Sequence, residues 1–344
     1  MCLEQWHYLK RNTLHPSLHS NRFTVPAVGK AGGLLSEIRL ALTGRRLTSH
    51  PMPKYKGQQS ETSILQSHTM APTTEQYEAI FERTAETYED TFEPLVKFYA
   101  TEAIKSVPSI TSSSVVHDNA SGPGIVAAAI ISSFSSSSDL PKIYATDLSG
   151  AMIKKLNAKP WADKVDAQVM NAMELTFPDA MFTHSFTNFG LMFLSLGDAE
   201  KAAGQLYRTL QPGGTAEIST WCKLGYMDVF KEVVHQVKPG AVVDDNVPIA
   251  SHWMKEETLR DVLIAGGFKA EQIAIKSVSH AVPGHMWACD GMLSIKQLLI
   301  QRVTENWEDG ERESFVKAFE ERIVQEQKVP RYYQVIAWIA IAKK

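Results

Sequence analysis

The segment Asp118-Asn119-Ala120-Ser121-Gly122-Pro123-Gly124 constrains this chain more than any other, because of what flanks it. Before it comes the apolar run Val115-Val116-His117, and after it the small apolar residues of 125–134. A strand that passes through a glycine turn into a helix exposes main-chain amides at one spot and lets a ligand approach them closely. The surrounding pattern repeats that unit. Strand-like runs at 115–118, 143–147, 167–170, 182–186, 216–220, 272–279 and 333–342 alternate with helical periodicity at 75–104, 125–134, 150–157, 199–210 and 254–265. Ser135–Ser138 reads as a loop and Gln211-Pro212-Gly213-Gly214 as a turn. The alternation predicts an α/β domain, a mostly parallel sheet with helices on both faces. Residues 286–327, rich in Trp, Met and Leu, predict a helical insertion between the last two strands.

In such sheets ligands bind at the carboxyl ends of the strands. Asp118 closes the first strand, and Asp147 closes the second 29 residues later. An acid at the second position can accept both hydroxyls of an adenosine ribose. Asn171, Ala172 and Met173 end the third strand, where an amide and an apolar side chain can frame an adenine. Two cofactor classes fit the loop alone. Gly122-Pro123-Gly124-Ile125-Val126-Ala127 also matches the dinucleotide fingerprint GxGxxA, with Asp147 at a suitable distance. Asp118, four residues before Gly122, suits a cationic cofactor and would repel a pyrophosphate.

Further blocks follow in order: Ala172-Met173-Glu174-Leu175-Thr176-Phe177-Pro178-Asp179-Ala180-Met181-Phe182, Ser185-Phe186-Thr187-Asn188-Phe189-Gly190-Leu191, Leu210-Gln211-Pro212-Gly213-Gly214, Leu263-Ile264-Ala265-Gly266-Gly267-Phe268, and the closing run from Ala337 to Lys344. Together with the glycine loop they resemble class I S-adenosylmethionine-dependent methyltransferases, of the ubiquinone/menaquinone-biosynthesis type and the fungal secondary-metabolite type. The resemblance implies a Rossmann-like fold with a seven-stranded, mostly parallel sheet and a helical substrate cap. It implies S-adenosylmethionine as cofactor, S-adenosylhomocysteine as product, no metal, and a small apolar or aromatic methyl acceptor. Residue by residue it assigns Asp118, Ala120, Gly122 and Gly124 to the methionine side. Asp147, with Leu148 beside it, would hold the ribose, and Asn171, Ala172 and Met173 the adenine. Asn188 and Phe189 would face the methyl group, and Tyr88 would serve as a lid from the first helix. Ala120 departs from the pattern, standing where the family usually has its first glycine; it calls for a backbone angle that alanine tolerates or for a shifted turn. A dinucleotide oxidoreductase and a non-methylating member of the fold stand as the alternatives.

No catalytic base stands out. His252 and His285 fall in regions that line the acceptor pocket of similar enzymes and are the candidates. His117 and His184, inside strand patterns, read as core or edge residues. Trp221 joins Phe189 as an aromatic candidate for cation–π attraction to a sulfonium.

Charge and composition narrow the partners. A formal net charge of -3 gives no general attraction to nucleic acid or anionic lipid, and no apolar run approaches the ~18 residues of a spanning helix. The three isolated cysteines, Cys2, Cys222 and Cys289, form no metal-type spacing. Residues 1–69 carry nine Lys/Arg against three Glu, a local excess of +6. They read as a disordered basic extension, with a mitochondrial presequence as the alternative to a cytoplasmic protein. The expected methyltransferase domain is 70–344, with cap elements near 73–105, 223–255 and 284–330. The oligomeric state is open.

Overall fold

The computed structural model describes residues 74–241, 243, 250–284, 286, 296, 299–301, 303–329 and 331–344. They belong to one compact unit, Ala71–Lys344. Its order is α1 (Thr74–Ile104), β1 (Val115–Asn119), α2 (Ile125–Ser132), β2 (Lys142–Asp147), α3 (Gly150–Asn157), β3 (Val165–Val169), β4 (Phe182–Asn188), α4 (Leu196–Thr209), β5 (Leu210–Leu224), α5 (Met227–Val237), α6 (Glu256–Ala265), β6 (Ile273–Pro283), α7 (Asp309–Lys328) and β7 (Tyr332–Lys343).

Seven strands form one sheet in the order β3-β2-β1-β4-β5-β7-β6. The pairs from β3 to β5 are parallel, and β7 runs antiparallel between β5 and β6. The central strands are buried almost throughout because both of their faces are covered, and their polar residues, among them His117, Asp118 and Ser185, are buried with the rest. Edge strand β3 is only partly shielded, and Val169 is 58% exposed. From β1 the chain moves outward through β2 to β3, then returns to β4 on the other side of β1. With right-handed crossovers, that reversal sends α2 and α3 to one face and α4 to the other, and opens a crevice where β1 and β4 diverge.

Helix α1 lies against α2 and α3. Its buried Tyr77, Thr84, Ala85, Leu95, Val96, Tyr99, Ala100 and Ala103 recur at helical spacing. Alanines at 127 to 129 let α2 sit close between sheet and helix. Helix α4 packs on α6, and α5 on α7, where Phe230 meets Phe315 and Phe319 edge-on at 5.2 and 5.3 Å. Helix α7 is the described helix of the expected insertion, much of whose first half lies outside the described residues.

Two expectations need correction. Gln211–Gly214 is not a free turn: it belongs to the start of β5, whose register with β4 shifts there. Gly213, at φ +80°, donates its N–H to the Lys344 carbonyl, so the end of β7 holds the irregular stretch in the sheet. The helix expected from 254 begins at Glu256, after a separate 3-10 turn at Ser251–Met254.

Candidate functional site

A cavity opens over the carboxyl ends of β1, β2 and β4, with α1 as its outer wall. Its floor is the loop after β1. Gly122 takes φ +54°, and a side chain there would meet nothing within 4 Å; this glycine faces open space. Gly124, at φ +85°, does not border the cavity. A Cβ on it would come within 2.9 Å of Leu156 and Trp161, so it serves as the left-handed cap of α2 and as a packing site against α3. Ala120 adopts φ +51°, a conformation costing a non-glycine residue about 1–2 kcal/mol. A Cβ added to Gly190 would come within 2.7 Å of the Ala120 Cβ. The missing glycine of the loop is thus matched by a glycine across the crevice.

Asp147 anchors the loop. Its carboxylate accepts the Gly122 N–H at 2.8 Å and the Ser149 N–H at 2.9 Å. Burial, and then the nearby Glu82, push its pKa up to about 6 against the pull of those two amides. Asp118, 1% exposed, accepts the Ala127 N–H at 3.0 Å from the first turn of α2. Burial and the negative field of Asp147 raise it to about 7. Two buried acids facing one cavity without a basic partner favour a positive ligand.

Of the other expected residues, Tyr88, Leu148, Asn171, Ala172, Asn188 and Phe189 also line the cavity. Burial and the Asp147 charge raise the pKa of Tyr88, keeping its hydroxyl neutral. The side-chain oxygen of Asn171 accepts the Met173 N–H at 2.9 Å and shapes the turn after β3. Met173 itself does not border the cavity; Met170, passed over in the sequence, does. Phe189 takes φ +59° and stacks on Trp221 with ring centres 3.8 Å apart, which leaves Trp221 behind it and off the cavity wall. His117 is wholly buried against Phe182, with burial lowering its pKa to about 3, and His184 bonds Thr183 and the Pro108 carbonyl. His252 sits on the 3-10 turn before α6, outside the cavity lining, and its Nε2 has no partner among the described residues. His285 lies outside the described residues.

Two contributors gave no local signal. Glu82, on α1, accepts from the Ser149 hydroxyl at 2.8 Å and the Ala151 N–H at 3.0 Å, so it caps α3 from another element. Glu217 on β5 is fully buried. Asp118, Phe186 and Glu217 occupy one row across β1, β4 and β5, so the two acids share a sheet face. Burial raises the Glu217 pKa to about 8, and Asp118 adds to the effect.

The charged side chains lining the cavity are Glu78, Asp118 and Asp147, with no Lys, Arg or His among its lining residues. Residues 116–214, which hold this loop and both acids, match the family model of a methyltransferase domain. Over those residues the chain carries a methyltransferase domain. A methyltransferase of Aspergillus fumigatus, tpcH, is 27% identical over 164 residues, 45% of this chain and 57% of that protein. The acetylaranotin bis-thiomethyltransferase of Aspergillus terreus is 28% identical over 179 residues, 49% of this chain and 59% of that protein. The matched region therefore spans less than two thirds of the length of these two relatives. A putative methyltransferase of Bacillus halodurans of solved structure shares 17% identity over 71% of this chain and 98% of its own, with a TM-score of 0.46. Among the described residues of this chain, no helix is long and apolar enough to cross a membrane, and no three His, Cys, Asp or Glu are grouped to hold a metal ion.

Proposed function

We propose that this methyltransferase binds S-adenosylmethionine in the cavity above β1, β2 and β4 and passes the methyl group to a small, largely apolar acceptor in secondary metabolism. One observation carries the reading: every charged side chain of the cavity lining is a carboxylate. A pyrophosphate would meet Asp118 and Asp147 without a cation to offset them, whereas a sulfonium finds a matching field. The donor set fits the group. Asp147, held by two amides, accepts the ribose hydroxyls, and Gly122 presents bare backbone to the ligand. Asn171 and Ala172 border the adenine, and Tyr88, Phe81 and Tyr77 of α1 cover it.

Bound there, S-adenosylmethionine supplies a methyl carbon already activated by positive sulfur. The chain's own task is alignment and exclusion of water, and positioning of this kind contributes several kcal/mol. Phe81 and Tyr77 pack on Phe193 at 5.0 and 4.8 Å, a wall of aromatic side chains suited to an apolar acceptor. Calorimetric titration of the full chain with S-adenosylmethionine and, separately, with NADPH tests the assignment. Binding of the sulfonium compound alone is the expected result; binding of NADPH alone reverses the reading. A labelled-methyl screen over phenolic, thiol and amine metabolites then identifies the acceptor.

A further inference from the structure

We infer that the ion pairs fastening α1 to the α3 region form a salt-sensitive latch, which sets how fast the cofactor enters and leaves the cavity but not how tightly it is held. The inference rests on the cofactor reading above and adds to it the control of exchange by residues that never touch the ligand.

Helix α1 divides at Pro94. Proline has no N–H to give the carbonyl four residues before it, and its ring crowds the preceding turn, so the helix is weakest there. Beyond Pro94 the helix is anchored. Leu95, Val96, Tyr99, Ala100 and Ala103 are buried, and the Tyr99 hydroxyl donates to the Val335 carbonyl at 2.7 Å. Before Pro94 lie Tyr77, Glu78, Phe81 and Tyr88, which wall the cavity. Cover and anchor are therefore separate stretches of one helix, and the cover can tilt at Pro94 while the anchor stays in the core.

The cover is held by aromatic contacts on one side and by polar ones on the other. Tyr77 and Phe81 rest on Phe193. Toward α3, Lys155 donates to the Glu86 carbonyl at 3.1 Å and pairs with the Glu86 and Glu89 carboxylates at 3.3 and 3.8 Å. Lys159, just past the end of α3, pairs with Glu89 as well. Glu82 adds its bonds to Ser149 and Ala151, and Ser149 in turn gives its N–H to Asp147, so the fastening ends on the ribose side of the cavity. Ion pairs near the surface are individually weak and are screened by salt. Such a fastening opens readily, and its strength follows ionic strength.

Position decides which quantities change. Glu86, Glu89, Lys155 and Lys159 do not line the cavity. The latch therefore stabilises the closed cover by the same amount in the empty and in the filled protein. With the closed state dominant in both, loosening the latch raises both open populations by one factor. Entry and exit quicken together, and their ratio, the affinity, stays where it was.

The test follows labelled S-adenosylhomocysteine bound to the full chain and chased with excess unlabelled ligand, which gives the dissociation rate; calorimetry gives Kd, and the two together give the association rate. This ligand carries no net charge, so a changed surface field does not steer it. Glu89→Gln and Lys155→Gln break the latch from opposite sides. Each should speed dissociation about threefold, the scale of two exposed ion pairs, with Kd within about twofold of wild type. Raising sodium chloride from about 0.05 to about 0.5 M should speed the wild type and leave the double variant nearly unchanged. If a variant does not fold, the salt series on wild type carries the decision. Dissociation at the wild-type rate in both variants, a wild-type rate that salt leaves unchanged, or a Kd weakened as much as dissociation is quickened overturns this inference and leaves the cofactor reading intact. A wild-type chain that binds no S-adenosylhomocysteine overturns both.

Discussion

The crevice between β1 and β4 works through an exchange of single carbon atoms. Ala120 places a methyl in a left-handed loop position where glycine is the easier residue, and Gly190 opposite provides the room. At Gly190 the obstacle to a side chain is steric, since its φ of -95° suits any residue. Gly190→Ala would put its Cβ within 2.7 Å of Ala120 and 2.9 Å of the Thr187 Cγ2. We expect it to destabilise the fold by about 1–3 kcal/mol, the range for overpacking, read as a lower urea midpoint. Adding Ala120→Gly removes the nearer clash and should recover part of the loss. Additive effects in the double variant would mean that the two positions do not face each other.

At the scale of elements, the parts defined by local pattern were legible and the parts defined by contact across the fold were not. Helix α3 was readable to the residue, because Ser149 is an N-cap with a buried Met152-Ile153-Leu156 face behind it. Strands β1, β2 and β4 were readable as short runs set between helices and turns, and the loop between β1 and α2 by its glycines. Gly124 shows the limit: the motif marks it as a glycine but cannot say whether its missing side chain makes room for a ligand or for Leu156 and Trp161. Met173 was exchanged with Met170 because the turn held by Asn171 decides which methionine faces inward. Glu82 was invisible as a cap because its partners Ser149 and Ala151 are 67 and 69 residues away. Beyond Glu82, Glu86 and Glu89 on α1 pair with Lys155 on α3 and Lys159 just past its end, so the cavity's outer wall is held by side chains whose spacing within α1 resembles any solvated helix face.

For the whole molecule, the buried acids set how stability depends on pH. Asp147, Asp118 and Glu217 titrate in the folded chain at about 6, 7 and 8, well above the usual carboxylate range near 4. A raised folded pKa means that the native state holds more protons than the unfolded chain. The stability it contributes is complete below about pH 4 and is lost as pH rises through the folded value. The ligand-free protein should therefore melt at a lower temperature at pH 8.5 than at pH 5.5. Glu217→Gln, which mimics the protonated acid, should reduce that fall across the whole interval and remove most of what is left of it above about pH 7, where Asp147 and Asp118 have largely ionised. An equal fall in variant and wild type would show that Glu217 is already ionised in the fold. A cationic ligand acts in the opposite sense, stabilising the ionised forms of Asp118 and Asp147 and adding most to stability at high pH.

If Asp147 holds the ribose of an adenosyl sulfonium, calorimetric titration of Asp147→Ala with S-adenosylmethionine, beside wild type, reads the loss directly. The predicted result is binding weakened by about 1–3 kcal/mol, the loss of charge-assisted hydrogen bonds, with the variant still folded. An affinity equal to wild type would contradict it.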